Sequence, residues 1–253
     1  MALKRNIKTI LFFTATTVLL LVTIGFAGKR NGDKAVRNVM VEILDEKGNY
    51  FTDNLEIIDL LNAQSTDYVL GLSINQLNLK VLEQRVEAHP FVKDAQVYHD
   101  VRGNLLVKVQ QAQPIARVYQ PGAEHQYIDV EGQLLPTVTR HTARVPTLEL
   151  ERGFSWEESI AETDYGAKVL ALLKYIDADD FWRAQIAGLV ISKDGSITLQ
   201  PQVTRQEVLF GMPEDFDKKF RKLKIFYKDI LPNKGWNTYS LVNVKYDHQI
   251  ICE

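Results

Sequence analysis

Histidines, one cysteine and clustered carboxylates are the side chains of this chain that could perform chemistry. The five histidines do not form an HExxH motif or another spacing typical of metal ligands. Cys252 is the only cysteine, which excludes an internal disulfide and a cysteine-based zinc site. Glycine-rich phosphate-binding loops are absent from the sequence. We therefore predict no cofactor and no metal site; the histidines are His89, His99, His125, His141 and His248.

Two further segments have residue types that occur in active sites. Asp177, Asp179 and Asp180 cluster where a predicted helix ends, and two close carboxylates can act as general acid and base. A solvated acidic turn accounts for the same cluster more simply. Residues 153–157 (GFSWE) are one residue short of the nucleophile-elbow pattern and do not connect a clear strand to a helix. We predict no catalytic residue and no enzymatic activity.

Backbone hydrogen bonding along the last predicted strand is a further candidate chemistry, although the residues by themselves fit an ordinary strand more simply. Residues 239–251 alternate in polarity, which predicts a half-buried strand of defined register. An edge strand offers unpaired N–H and C=O groups to which a partner peptide can add as a further strand. The alternatives are an ordinary interior strand or a protected edge strand, with Tyr246 as a core tyrosine and Trp236 as a loop aromatic residue. The candidate partner-binding residues are Trp236, Tyr239, Leu241, Asn243, Lys245 and Tyr246.

Residues 9–28 form twenty consecutive uncharged, mostly apolar positions. As a helix they extend over roughly 30 Å, the thickness of the hydrocarbon core of a bilayer. A signal peptide cleaved after residues 25–27 (GFA) is the alternative, but the unbroken length favours an anchor. Basic residues flank both ends, so the positive-inside rule is close to a tie. We predict a cytoplasmic N-terminus at residues 1–8, a transmembrane helix at residues 9–28, and the remaining chain outside.

The composition is that of a folded protein with 45% hydrophobic residues. The whole chain has a formal net charge of −2, and Lys4, Arg5 and Lys8 precede the predicted span. Without these three, 27 basic and 32 acidic residues leave a net charge of −5. Nucleic-acid binding requires clustered Lys and Arg, so we expect no nucleic-acid partner.

Residues 38–112, after a polar linker at residues 29–37, carry the signals of a small α+β domain. Asp53 and Ser73 are each followed three residues later by Glu or Gln, which predicts the N-termini of two helices. Pro90 ends the second helix because the residue before a proline avoids helical geometry. The predicted order is strand, helix, helix, strand, strand, with the strands near residues 39–44, 95–100 and 105–110.

Residues 113–253 predict a second α+β domain with a mixed, mostly antiparallel sheet and two helices. Apolar positions from Tyr165 to Ile176 follow the helical period. The second helix begins behind Pro213, where acidic residues favour the helix dipole, and is expected to end at Pro232. The strand over residues 239–251 completes the domain.

This order of parts resembles the FtsQ/DivIB family of bacterial cell-division proteins. The stretch YIDVEGQLLP is similar to the family's Y-x-D-x-x-G motif, and the remaining segments match its hairpin, its crossing between domains and its terminal strand. Individually these motifs are weak, and their order and spacing along nearly the whole chain carry the resemblance. The segments are residues 89–97 (HPFVKDAQV), 103–105 (GNL), 110–116 (QQAQPIA), 127–136 (YIDVEGQLLP) and 239–251 with VKY at 244–246.

The resemblance implies a POTRA domain and the family's β domain, with no known catalysis. It implies a scaffold at the division septum, in the cytoplasmic (inner) membrane, that links early and late septal proteins and influences septal peptidoglycan synthesis. The implied partners are FtsB-like and FtsL-like small coiled-coil membrane proteins, which bind largely at the last strands; no small-molecule substrate is expected. The alternative is a POTRA-type adaptor in envelope protein assembly or secretion. Such adaptors usually carry repeated units and a barrel, and the sequence shows neither.

Overall fold

The computed structural model describes residues 12–23, 34–44, 48–62, 68–152, 156 and 159–253. Residues 12–23 form helix α1, with exposed side chains. The ends of the predicted span at residues 9–28, most of the linker at residues 29–37 and most of the GFSWE segment lie outside the described residues. Within the described ranges, α1 and the other helices are too short or too polar to cross a membrane.

The chain forms two compact units, one containing residues 52–111 with the segment before residue 47, the other containing residues 112–253 with residues 47–51. The described elements of the first unit confirm the predicted order strand, helix, helix, strand, strand. Strand β3 lies in the middle of the sheet, parallel to β1 and antiparallel to β2. The elements are β1 (Asn38–Leu44), α2 (Asn54–Leu61), α3 (Leu79–Glu87), β2 (Val92–His99) and β3 (Asn104–Gln111).

Alternation in β3 explains the core of the first unit. Leu105, Val107 and Val109 are buried beneath the helices, while the residues between them face the open side of the sheet. Ile57 of α2 and Val86 of α3 are fully buried in the same cluster. The amphipathic stripes of two short helices thus cover one face of a three-stranded sheet, as layer packing requires.

The two predicted helix starts of the first unit have different outcomes. The Asp53 carboxylate accepts a hydrogen bond from the Glu56 N–H at 2.9 Å and caps α2, as predicted. The start at Ser73 is wrong, because residues 74–76 form only a single 3-10 turn and Leu77 is extended. Asn78 caps α3 instead, accepting a hydrogen bond from the Val81 N–H at 3.3 Å.

The described part of the second unit forms a nine-stranded mixed sheet with five antiparallel and three parallel pairings, in agreement with the predicted architecture. The strands follow the order β12-β11-β10-β9-β8-β7-β4-β5-β6 across the sheet. They are β4 (Pro114–Tyr119), β5 (Gln126–Asp129), β6 (Leu134–Pro136), β7 (Thr147–Leu150), β8 (Ile186–Ile191), β9 (Ile197–Pro201), β10 (Glu207–Gly211), β11 (Leu241–Asn243) and β12 (Ile251–Cys252).

Helix α4 (Asp164–Ala178) packs its apolar face into the core of the second unit. Val169, Leu172 and Ile176 are buried at helical spacing, as the sequence predicts. The Thr163 Oγ1 accepts a hydrogen bond from the Gly166 N–H at 3.0 Å and caps the helix. This hydrogen bond fixes the residue at which α4 begins.

The prediction of two helices in this unit omits a short third one, α5 (Asp180–Gln185). Its N-cap is Asp179, whose carboxylate accepts hydrogen bonds from the N–H groups of Phe181 at 2.8 Å and Trp182 at 3.3 Å. This residue of the acidic cluster therefore has a capping role, which explains an acidic side chain at the end of α4 without catalysis.

The last helical segment is longer than predicted. Helix α6 (Phe216–Ile225) continues through a π-helical stretch (Phe226–Ile230) into α7 (Leu231–Lys234). The expectation that Pro232 ends the helix is wrong. Pro232 lies directly after the π-helical stretch, at the start of α7, and the helix ends before Gly235.

The β5–β6 turn accounts for the YIDVEG segment. Buried Asp129 accepts hydrogen bonds through Oδ1 from the N–H groups of Glu131 at 2.9 Å and Gln133 at 2.8 Å. Gly132 has a φ of 88°, and a side chain there would meet Leu170 and Ile160 of the core. Burial raises the pKa of the Asp129 carboxyl, although backbone N–H donors oppose the shift. The motif is therefore a structural turn.

We expect Asp129→Ala to lower the free energy of unfolding by about 2 kcal/mol, because the N–H groups of the turn lose their acceptor. Asp129→Asn keeps an acceptor oxygen without burying a charge and is expected to match the parent within about 0.5 kcal/mol. Since the folded state raises this pKa, protonation of Asp129 favours folding. The stability of the parent relative to Asn therefore increases as pH falls through the pKa of Asp129, and this gain is lost as pH rises through it. Urea unfolding of the three proteins across pH measures this; equal losses for Ala and Asn would contradict it.

Candidate partner-binding edge

The last two strands form one edge of the nine-stranded sheet. Strand β11 is parallel to β10, and β12 is antiparallel to β11. Within the described part of the chain, the sheet order ends at β12, which pairs with β11 alone. The prediction of one continuous strand over residues 239–251 is wrong, because β11 ends at Asn243 and the next strand begins at Ile251.

Local geometry explains this interruption. The Asn243 Oδ1 accepts a hydrogen bond from the Lys245 N–H at 3.0 Å, which forms a side-chain turn directly after β11. His248 has a φ of 61°, in the left-handed region, where a strand cannot continue. Residues 244–250 are therefore a loop, named the edge loop below, and it places β12 beside β11.

Lys222 of α6 binds the backbone of the edge loop. Its Nζ donates hydrogen bonds to the carbonyl oxygens of Val244 and, at 2.6 Å, Tyr246. Lys219, one turn earlier and buried, donates to the Met212 carbonyl at 2.7 Å. Burial lowers the pKa of both ammonium groups. Because these cations bind backbone carbonyls, they position the chain.

The register of β11 and β12 determines which backbone groups are available at the edge. Leu241 and Glu253 exchange both hydrogen bonds, with N···O distances of 3.1 and 3.0 Å. In an antiparallel ladder the neighbouring residue points its N–H and C=O the other way. The backbone N–H and C=O of Cys252 therefore face away from β11, where an added strand could pair with them.

Three of the predicted site residues lie on or before β11. Leu241 and Asn243 are half-buried and lie one strand inside the edge. Tyr239 packs against the core, with its ring centroid 6.2 Å from that of Phe226. These side chains shape the surface next to β12 but do not form the outermost strand.

The other three predicted residues are exposed. Tyr246 and Lys245 lie in the edge loop, where the Tyr246 side chain is 53% exposed. Trp236 is 48% exposed in the turn that follows α7. Tyrosine and tryptophan are enriched among the residues that contribute most to protein–protein binding.

Cys252 and Lys222 belong to this region although sequence reasoning did not select them. The Cys252 side chain packs against the core, and burial raises the pKa of its thiol, which disfavours the reactive thiolate. Its contribution to the edge comes from its backbone, which residue type does not reveal. Lys222 has the sequence context of an ordinary helix-surface lysine, and no pattern indicates its contact with the edge loop.

A three-stranded β-α-α-β-β unit and a mixed nine-stranded sheet that begins at β12 define the class of fold, a POTRA-like domain followed by a β domain. Comparison with protein families agrees: residues 34–110 match a POTRA-like domain, and residues 113–253 match the family described as FtsQ/DivIB, C-terminal related. The chain therefore belongs to the FtsQ/DivIB family. It is 27% identical over 186 residues to the cell division protein FtsQ of Rhodothermus marinus, a match that covers 72% of this chain and 67% of that relative.

Proposed function

We propose that this protein is a membrane-anchored, non-enzymatic scaffold of the bacterial division machinery. It links early and late septal proteins by binding FtsB-like and FtsL-like small coiled-coil membrane proteins, and through them influences septal peptidoglycan synthesis. The family assignment supports a role in cell division. The observation that carries the binding mechanism is the unpaired outer edge of β12.

Strand addition fits the geometry of this edge. A partner peptide beside β12 pairs with the outward N–H and C=O of Cys252, while Tyr246 and Lys245 contact its side chains. The edge loop and Lys222 keep this short strand in register before the partner binds, which reduces the ordering cost of association. We also assign Trp236 as an aromatic contact of the partner. Tyr239, Leu241 and Asn243 support β12 from the side of the sheet.

The proposed location is the cytoplasmic (inner) membrane at the division septum, with one span and an extracytoplasmic domain. The apolar run at residues 9–28 supports an anchor. The proposed organisation is a cytoplasmic segment at residues 1–8, a transmembrane helix at 9–28, a linker at 29–37, a POTRA-like domain at 38–112 and the β domain at 113–253.

The test is a capture experiment with the tagged full chain, solubilised in detergent from the membranes of its own cells. We expect small single-span coiled-coil proteins to co-purify, and depletion of the chain to produce filamentous cells. A Tyr246→Ala, Trp236→Ala bait is the matched variant, and its recovery of these proteins is expected to fall. Capture of unfolded outer-membrane precursors, with envelope-assembly defects on depletion, would contradict the division scaffold and favour the adaptor alternative.

A further inference from the structure

The β2–β3 hairpin of the first unit ends in an exposed apolar residue surrounded by basic side chains. Val101 lies in the turn and is 73% exposed. The Lys34 Nζ donates a hydrogen bond to the Val101 carbonyl at 2.6 Å, and the Arg37 N–H donates to the Gly103 carbonyl at 2.9 Å. Arg102 is exposed in the same turn. We name Lys34, Arg37, Val101 and Arg102 the hairpin tip.

The charge of the hairpin tip is positive although the second unit and the chain as a whole are not basic. Asp100 is the acidic residue of this turn, and its carboxylate accepts hydrogen bonds from the N–H groups of Arg102 and Asn104 at 2.8 Å each. These backbone donors lower the pKa of the Asp100 carboxyl, so it stays ionised but directs its oxygens into the turn. Arg37 and Arg102 are exposed, and the half-buried Lys34 lies against the Val101 carbonyl.

Apolar side chains continue from the tip along the open face of the sheet. Met40, Leu106 and Tyr98 lie side by side on β1, β3 and β2 in the observed register. Met40 is 50% exposed and Tyr98 is 43% exposed. An apolar and aromatic row next to basic residues is typical of surfaces that lie at a membrane interface.

The chain length limits how far this surface can lie from a bilayer. Lys34 follows Gly28, the last residue of the proposed span, by six residues, and six extended residues reach at most about 20 Å. The tether therefore keeps the tip within about 20 Å of the end of the span. This is close enough for the tip to reach the layer of about 8–10 Å at the bilayer surface in which Lys and Arg are attracted to anionic lipid. We propose that the hairpin tip binds the anionic bilayer surface and thereby orients the first unit; this inference rests on the membrane anchor of the proposed function.

The test uses the full chain reconstituted in nanodiscs, in a Cys252→Ala background. An environment-sensitive fluorophore is attached at Val101→Cys, at Asp94→Cys or at Lys29→Cys, and lipids carrying a quencher report contact. Asp94 is the matched control because it is exposed on the same strand pair, about 20 Å from the turn. We expect blue-shifted emission and strong quenching at position 101 in anionic nanodiscs, much weaker quenching at position 94, and loss of the position-101 signal in high salt.

The variant Lys34→Gln, Arg37→Gln, Arg102→Gln is expected to abolish most quenching at position 101 while leaving that at position 29 unchanged. Equal quenching at positions 101 and 94, or a position-101 signal that ignores lipid charge, would overturn the membrane contact. A change at position 101 that needs an added protein rather than lipid would also overturn it. Absence of quenching at position 29 would instead contradict the anchor itself, so the two failures are distinguishable.

Discussion

Cys252→Pro is expected to weaken binding of the coiled-coil partner by about 10- to 100-fold while the protein stays folded. The Cys252 N–H faces away from β11, so its removal breaks no hydrogen bond of the sheet. The proline ring occupies the position from which that N–H would donate to an added strand. A lost backbone hydrogen bond and a steric block of this kind cost about 1–3 kcal/mol. The measurement is the dissociation constant of the purified partner for the reconstituted full chain.

Cys252→Ala is the matched control for this prediction. It removes the same thiol but keeps the backbone N–H, and we expect partner affinity within about twofold of the parent. Both variants are to be compared by thermal unfolding, since the proposal requires that proline leaves the fold intact. Unchanged affinity for a folded Cys252→Pro variant would place the partner elsewhere on the domain.

Gly166→Ala is expected to lower the free energy of unfolding by about 3 kcal/mol or more, or to prevent folding of the second unit. Helix propensity predicts the opposite, because alanine is favoured over glycine by about 1 kcal/mol within a helix. A Cβ at Gly166 would lie 1.9 Å from the Ile160 carbonyl oxygen and 2.8 Å from the Thr163 Oγ1, so the chain entering α4 must move. The clash involves backbone, which cannot relax like a flexible side chain.

Thermal unfolding of the purified full chain measures this effect. For a unit of this size, 3 kcal/mol corresponds to a fall in melting temperature of roughly 10 °C. Lys168→Ala, at an exposed position of the same helix, is the control and is expected to stay within about 0.5 kcal/mol of the parent. A Gly166→Ala variant that melts at or above the parent's temperature would show that propensity outweighs the clash.

Periodicity predicted the local elements well wherever one face of an element is buried. The strand pairs β2–β3 and β8–β9 and the helices α2 and α4 were expected from alternation, apolar stripes and capping residues. Each of these signals depends only on residues that are close together in the sequence. A failure occurred where two local signals compete, at Ser73 and Asn78: the chain is extended at Leu77, and Asn78 caps the helix that buries Leu82 and Val86.

The candidate site was predicted in part. Exposed Tyr246 and Lys245 were selected from the alternation of the tail, yet that alternation suggested one long strand. The side-chain turn at Asn243 and the backbone contacts of Lys222 divide it into β11, the edge loop and β12. Lys222 is 22 to 24 residues away from the carbonyls that it binds, so its contribution has no local signature.

The amino-acid sequence by itself determined the two α+β units, the apolar run at residues 9–28 and the exclusion of an internal disulfide, and the order of its motifs suggested the family. These properties depend on residue type and short-range spacing, which the sequence shows directly. Only the tertiary structure decided that β12 is the outermost strand, that Cys252 directs its backbone outward and that Val101 lies among three basic side chains. Those properties depend on strand order and register, which result from packing between residues distant in the chain.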